Sequence, residues 1–168
     1  MLMDRHDRHP HLRSSHLIQP DLIRIGRAIV EDNAYLTLAT ADANGSPWAS
    51  PVWFAHDRYT RYVWVSRPEA RHSRNIAVRS EVGIVVFDST VPDGTGQGVY
   101  IEATAGLVGE ADLEPLLTVF SDRSEARGGA RWTSADIAGG APHRLYVAEA
   151  TAHFVLGDHD ERIAVALG

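Results

Sequence analysis

Apolar and polar residues alternate in short blocks along most of this chain, with turn-forming residues between the blocks. Leu22, Ile25, Ile29 and Val30 recur at helical spacing behind Pro20 and Asp21, which predicts an amphipathic helix ending near Asn33. Residues 34–40 (AYLTLAT) alternate apolar with small polar side chains, and Asp42-Ala43-Asn44-Gly45 supplies a turn, so a hairpin is expected with its second strand over 47–56. After a turn at 57–60, residues 61–65 (RYVWV) read as a third strand. Ser66-Arg67-Pro68-Glu69 has the spacing of a capping box with Pro68 in the first turn, which predicts a helix start.

Residues 82–87 (VGIVVF) form a continuous apolar run, as in a strand covered on both faces. A Pro- and Gly-rich loop over 88–98 leads into a long alternating strand over 99–108. Leu113, Leu116, Leu117 and Phe120 predict another helix, with Pro115 confined to its first turn. Residues 121–142 read as a long Gly-rich loop with Trp132 as an exposed anchor, and 144–156 as the last strand. Six strands joined by hairpins and short crossings, with few helices, predict a mainly β fold: an antiparallel barrel with peripheral helices. Residues 1–17 carry charges and histidines without an apolar period and read as a mobile tail, set apart from a single domain over 18–168.

Composition narrows the chemistry. The chain has no cysteine, which removes disulfides, thiolate catalysis and cysteine metal sites and fits a cytoplasmic protein. A formal net charge of −6 argues against nucleic acid as a partner, because wrapping phosphates needs a basic surface. No apolar run approaches the roughly 20 residues of a membrane-spanning helix, so no membrane partner is expected. His9 and His11 have no carboxylates at ligand spacing, so no metal site is read there.

Local charge remains informative. Arg71, His72, Arg74 and Asn75 fall in the first turns of the helix expected after Ser66, with the two arginines three residues apart. Cations beside free backbone N–H groups make a place for an anion, most naturally a phosphate. The competing reading is a solvated helix face paired with Glu69 or Glu81. For Trp53 and Trp64 the competing reading is core packing, and His56, His143 and His153 stand alone on strand patterns and read as structural.

Ser50-Pro51-Val52-Trp53-Phe54, then Tyr62-Val63-Trp64-Val65-Ser66, then Arg71-His72-Ser73-Arg74-Asn75-Ile76, together with the element order from Pro20 to Leu156, resemble the pyridoxamine 5′-phosphate oxidase-like family of flavin-binding split barrels. The resemblance implies a six-stranded split barrel that forms a homodimer, with FMN in a groove at the subunit interface and a small-molecule substrate oxidised or reduced through it. Pro51, Val52 and Trp53 would line the isoalloxazine ring, largely through their backbone. Val65 and Ser66 would lie beside the ribityl chain and phosphate. Arg71 and His72 match the family's phosphate-binding Arg-Lys pair, and Arg74 and Asn75 match the end of the same motif. Gln97 resembles a glutamine near the flavin, with Gly98 as the alternative one residue on.

Two departures qualify what the resemblance implies. A histidine at position 72 is only partly charged at neutral pH, so a phosphate held there would bind less tightly as pH rises. The C-terminal Trp and Arg-x-His signature of true pyridoxamine phosphate oxidases is missing, so vitamin B6 oxidation is not implied. The same groove in similar proteins accepts a deazaflavin. A non-catalytic flavin store, or a heme-binding protein of this architecture with His143 or His153 as axial ligand, is the alternative class.

Overall fold

The computed structural model describes residues 18–157 and 160–168. The tail expected over 1–17 lies outside them. The elements are α1 (Gln19–Asp32), β1 (Tyr35–Ala41), β2 (Pro47–Trp53), β3 (Ala55–Asp57), β4 (Arg61–Ser66), α2 (Arg71–Val78), β5 (Glu81–Phe87), β6 (Gly98–Leu107), α3 (Glu110–Ala126), α4 (Ser134–Ile137), β7 (Arg144–Leu156) and β8 (Arg162–Val165). All strand pairs are antiparallel, in the order β2-β1-β5-β6-β7-β4-β3, with β8 also on β7.

Connectivity forces this sheet to curl. Its two end strands, β2 and β3, are separated in the chain by Phe54 alone, so the ends of the path must come together. Phe54 is fully buried at that join. The 13-residue β7 makes curling possible by pairing with β4 through its first half and with β8 through its last residues, while β6 runs along its other edge. A bulge between Glu102 and Ala103 absorbs the register change that the curvature imposes. The result is an antiparallel split barrel, as expected.

Alternation along the strands sorts side chains into two cores. Leu36, Leu38, Tyr62, Trp64, Ile84, Val86, Val99 and Ile101 fill the barrel interior, and the stripe Leu22, Gly26, Val30 of α1 closes one end. Gly26 is required by close approach, since a Cβ there would stand 2.9 Å from Leu167 and 3.0 Å from Val155. On the outer face, Ala55, Val63 and Leu145 pack under Leu116, Leu117 and Phe120 of α3.

Several sequence expectations are corrected. The strand read over 47–56 is divided at Phe54, and β8 adds a further strand, giving eight among the described residues rather than six. Ser66 caps no helix: it is the last residue of β4, and α2 begins at Arg71 behind Ala70, with no side-chain cap. The tertiary pairing of Ser66 with Arg144 extends the strand past the local signal. Helix α3 starts at Glu110, which puts Pro115 inside it rather than in its first turn. Part of the loop read over 121–142 is the end of α3 and the short α4, and Trp132 is half-buried, edge-on to Phe120.

Candidate functional site

β2 is the end of the sheet path and, among the described strands, pairs with β1 alone. Its other edge therefore presents free backbone groups. Alternation turns Ser50 and Val52 to the buried side and Pro51 to the exposed side, so the edge separates two differently built surfaces.

The first surface centres on His72. Its Nε2 lies 2.7 Å from Ser66 Oγ at the end of β4, and its Nδ1 lies 3.2 Å from Ser50 Oγ on β2. One imidazole thus ties α2 to both strands, donating through one nitrogen and accepting through the other. Burial holds its pKa below the usual histidine value, so the ring is neutral at physiological pH. Beside it the exposed Arg71 guanidinium sits 4.4 Å over the ring of Trp48. Asn75 is buried behind both, its Nδ2 donating to Thr40 Oγ1 at 2.9 Å, and Thr40 donates to the Trp48 carbonyl at 3.3 Å. This relay fixes the start of β2 against α2.

The second surface is the uncovered outer face of β2, β1, β5 and β6. Tyr35 and Phe87 are exposed there among small residues such as Ala39, Ala49 and Gly83. Three shallow cavities of about 430, 360 and 330 Å3 adjoin across it, sharing Val85 and Tyr100, then Phe87 and Asp88, as walls. Pro51 borders one, and Gln97 borders another. Gln97 Oε1 is buried without a hydrogen-bond partner, an unmet acceptor at a cavity wall.

The residues singled out from the sequence are thus divided. Ser66, Arg71 and His72 gather around the start of α2, with Val65 next in the strand but turned toward α3. Pro51 and Gln97 stand on the outer face. Val52 lies inside the barrel, and the Trp53 ring packs edge-on against Phe120, 4.9 Å between centroids. Asn75 faces Thr40, and Arg74 donates to the carbonyl of Glu69 and borders a different cavity. Sequence reasoning did not single out Ser50, Trp48 or Thr40. Ser50 opens the SPVWF segment, but its partner is 22 residues away, and nothing local announces that contact.

A second polar centre lies under the C-terminal end of α1. His56 Nε2 is 3.1 Å from Glu31 Oε1, Tyr59 Oη donates to the same oxygen at 2.9 Å, and the Tyr59 N–H donates to His56 Nδ1 at 3.2 Å. Arg123 reaches in from α3, its Nη2 donating to the carbonyls of Val30, Glu31 and Asn33. His153 Nε2 meets the fully buried Tyr62 hydroxyl at 3.2 Å. Among the described residues no cluster of His, Asp and Glu could hold a metal ion, and no helix is long and apolar enough to cross a membrane.

Comparison with known proteins agrees with this fold. A family model described as pyridoxamine 5′-phosphate oxidase matches residues 26–153. No curated protein matches the chain. Among solved structures, a heme-binding protein from Mycobacterium smegmatis is similar at a TM-score of 0.70 with 18% identity, over 89% of this chain, which spans only 60% of that protein's length. HutZ, the heme storage protein from Vibrio cholerae, is similar at 0.60 with 23% identity, over 77% of this chain and 90% of that one. An F420 reductase is similar at 0.56 with 19% identity, over 76% and 94%. At these identities the likeness is one of fold.

Proposed function

Because the chain belongs to the pyridoxamine 5′-phosphate oxidase family, we propose that it is an FMN-dependent oxidoreductase that works as a cytoplasmic homodimer, binding FMN along the free edge of β2 with a small-molecule substrate beside it. The observation that carries this reading is that edge, which no described strand pairs with: hydroxyl, imidazole and guanidinium groups stand at one end of it and an apolar, cavity-lined face at the other. From Pro51 to Trp48 is about 10 Å at the rise of a strand, a span within one flavin mononucleotide.

The residues fit the group. Arg71 is the exposed cation for the phosphate, supported by free N–H groups at the start of α2. Ser66 and His72 bond to each other, and both can turn a donor to a phosphate oxygen. Pro51, Val52 and Trp53 contribute backbone, since the Val52 and Trp53 side chains are engaged in the two cores. Val65 supports the strand that carries Ser66. Asn75 acts through Thr40, holding Trp48 and hence Arg71 in place, and Arg74 adds positive potential at the same helix. Gln97 Oε1 offers an acceptor for a ring N–H. FMN supplies the hydride chemistry, and the chain's own groups bind it, orient it and keep water from it.

Homodimer formation is supported by the outer sheet face. Tyr35 and Phe87 are 59% and 49% exposed on it, an apolar patch that a second copy would cover while closing the cavities over the flavin. Sedimentation should give twice the 18.4 kDa chain mass.

The test is the visible spectrum of the purified protein, with the cofactor released by heat and identified by mass. FMN is expected. A deazaflavin would move the protein toward the F420 reductase it resembles in fold. A Soret band would favour a heme-binding protein, a reading that draws on two of the similar structures. In that case His143 is the better axial ligand to replace, because the Nε2 of His153 faces the Tyr62 phenol.

A further inference from the structure

Helix α2 has a second working face. His72 and Asn75 point to Ser66, Ser50 and Thr40, whereas Ser73, Arg74 and Ile76 line a cavity of about 280 Å3 on the other side, closed by Gly106 and Leu107 at the end of β6 and by Tyr146 of β7. The walls are mostly apolar, and Leu107 is 61% exposed at the mouth. Two polar features break this apolar lining. Ser73 is 3% exposed, yet its Oγ has no hydrogen-bond partner. A buried hydroxyl without a partner is destabilising, so its presence at a cavity wall points to a ligand that satisfies it. Arg74 carries the one charge among the described residues that line the cavity. Its Nη1 donates to the Glu69 carbonyl, and no carboxylate among the described residues pairs with it.

From this we propose that the cavity between α2 and the β6–β7 end is a separate binding site for a small carboxylic acid with an apolar body. The carboxylate accepts from the Ser73 hydroxyl and the Arg74 guanidinium, and the hydrocarbon or aromatic part packs against Ile76, Leu107 and Tyr146. A neutral ligand of the same shape leaves Arg74 without its anion, and inorganic phosphate brings no apolar group to the walls, so the combination favours an anionic head joined to an apolar body, which a monocarboxylate supplies. Because the site shares a helix but no proposed flavin contact except Arg74, it stands whether or not FMN is the cofactor.

Phenylacetate and its neutral analogue phenylacetamide are suitable probes, titrated into the full chain and followed by amide NMR. Phenylacetate is expected to shift the resonances of Ser73, Gly106 and Leu107 with an affinity at least about 10-fold above that of phenylacetamide. Arg74→Gln should weaken phenylacetate by about 10-fold or more and leave phenylacetamide unchanged. Ser73→Ala separates ligand recognition from a structural role: removing an unpartnered hydroxyl should leave the thermal midpoint equal or higher while weakening the acid. Gly106 offers a second route, since a Cβ there meets nothing within 4 Å, so Gly106→Val should fold normally and weaken binding by narrowing the cavity. Equal affinity for the acid and its amide, unchanged acid binding in Arg74→Gln or Gly106→Val, or no shift at these three residues would overturn the proposal.

Discussion

Two half-buried histidines show how differently the same side chain is used at the two ends of this barrel. His56 is held by a carboxylate, a backbone N–H and a stacked Tyr59 ring 4.5 Å away, inside a network that Arg123 ties to the carbonyls of α1. His72 is held by two serine hydroxyls and nothing charged. The imidazole, the Glu31 carboxylate and the Tyr59 phenol around His56 already have their partners, with Arg123 Nε left without one, and several of the bonds are charge-assisted, so that centre is a structural lock. The groups around His72 satisfy one another through neutral bonds that a ligand phosphate could outcompete, which is the arrangement expected of a site that exchanges internal partners for a guest.

The contrast predicts that damage at the two centres is read by different experiments. The largest effect belongs to the lock: Arg123→Ala should cost about 3 kcal/mol in urea unfolding, because it strands the carbonyls of the buried Val30 and the half-buried Asn33, while the folded fraction keeps its FMN affinity. A loss of FMN affinity with unchanged stability would reverse the assignment of the two centres. Next, Arg71→Ala should weaken FMN by about 10- to 100-fold and purify largely colourless, with stability within roughly 0.5 kcal/mol of the parent. Equal flavin titrations of the two proteins would take Arg71 out of the site.

Acid should separate the histidines further. Burial lowers the pKa of His56, despite the counter-pull of Glu31, and likewise lowers that of His153. A histidine whose folded pKa lies below its unfolded value near 6.5 takes up its proton more readily when unfolded, so stability should decline as pH falls from about 6.5 toward the folded values. Glu31 acts in the same direction at lower pH: burial raises its pKa, but the Tyr59 hydrogen bond, His56 and Arg123 together bring it below the ordinary carboxylate value. At His72 the readout is binding. Charging this ring creates a second cation beside Arg71, so FMN affinity should rise as pH falls through a pKa depressed by burial. His72→Gln provides the reference, because the phosphate titrates too: the two proteins should converge at high pH and diverge below neutrality. Identical profiles would mean that His72 does not face the phosphate.

The smallest effect tests the neutral bonds themselves. Ser50→Ala removes one partner of the imidazole and should alter FMN affinity by no more than about 10-fold, with little change in urea midpoint. A several-kcal/mol loss of stability would make the His72 centre a lock of the same kind as that at His56.

Much of the fold was legible because alternation and helical spacing are local properties. The helical spacing of Leu22, Ile25, Ile29 and Val30, the turn at 42–45 and the long strands β6 and β7 follow from residues within a few positions of one another. The Ser66 signal misled for a related reason: its spacing suits a helix cap, but pairing with Arg144, 78 residues on, holds Ser66 in β4. Strand β8 escaped notice because a four-residue segment has too little pattern of its own and is defined by its register with β7.

At the site, the basic start of α2 was visible in Arg71 and His72, and the amino-acid sequence alone determined that these groups follow a strand over residues 61–65. What only the tertiary structure decided was their partners. Ser50 and Ser66 hold the His72 ring in place while burial lowers its pKa, Trp48 carries Arg71, Thr40 takes Asn75, and Arg74 turns away to another cavity. The reason is physical: periodicity records which face of an element a residue occupies, whereas hydrogen-bond partners and pKa depend on which other elements the curled sheet brings against that face.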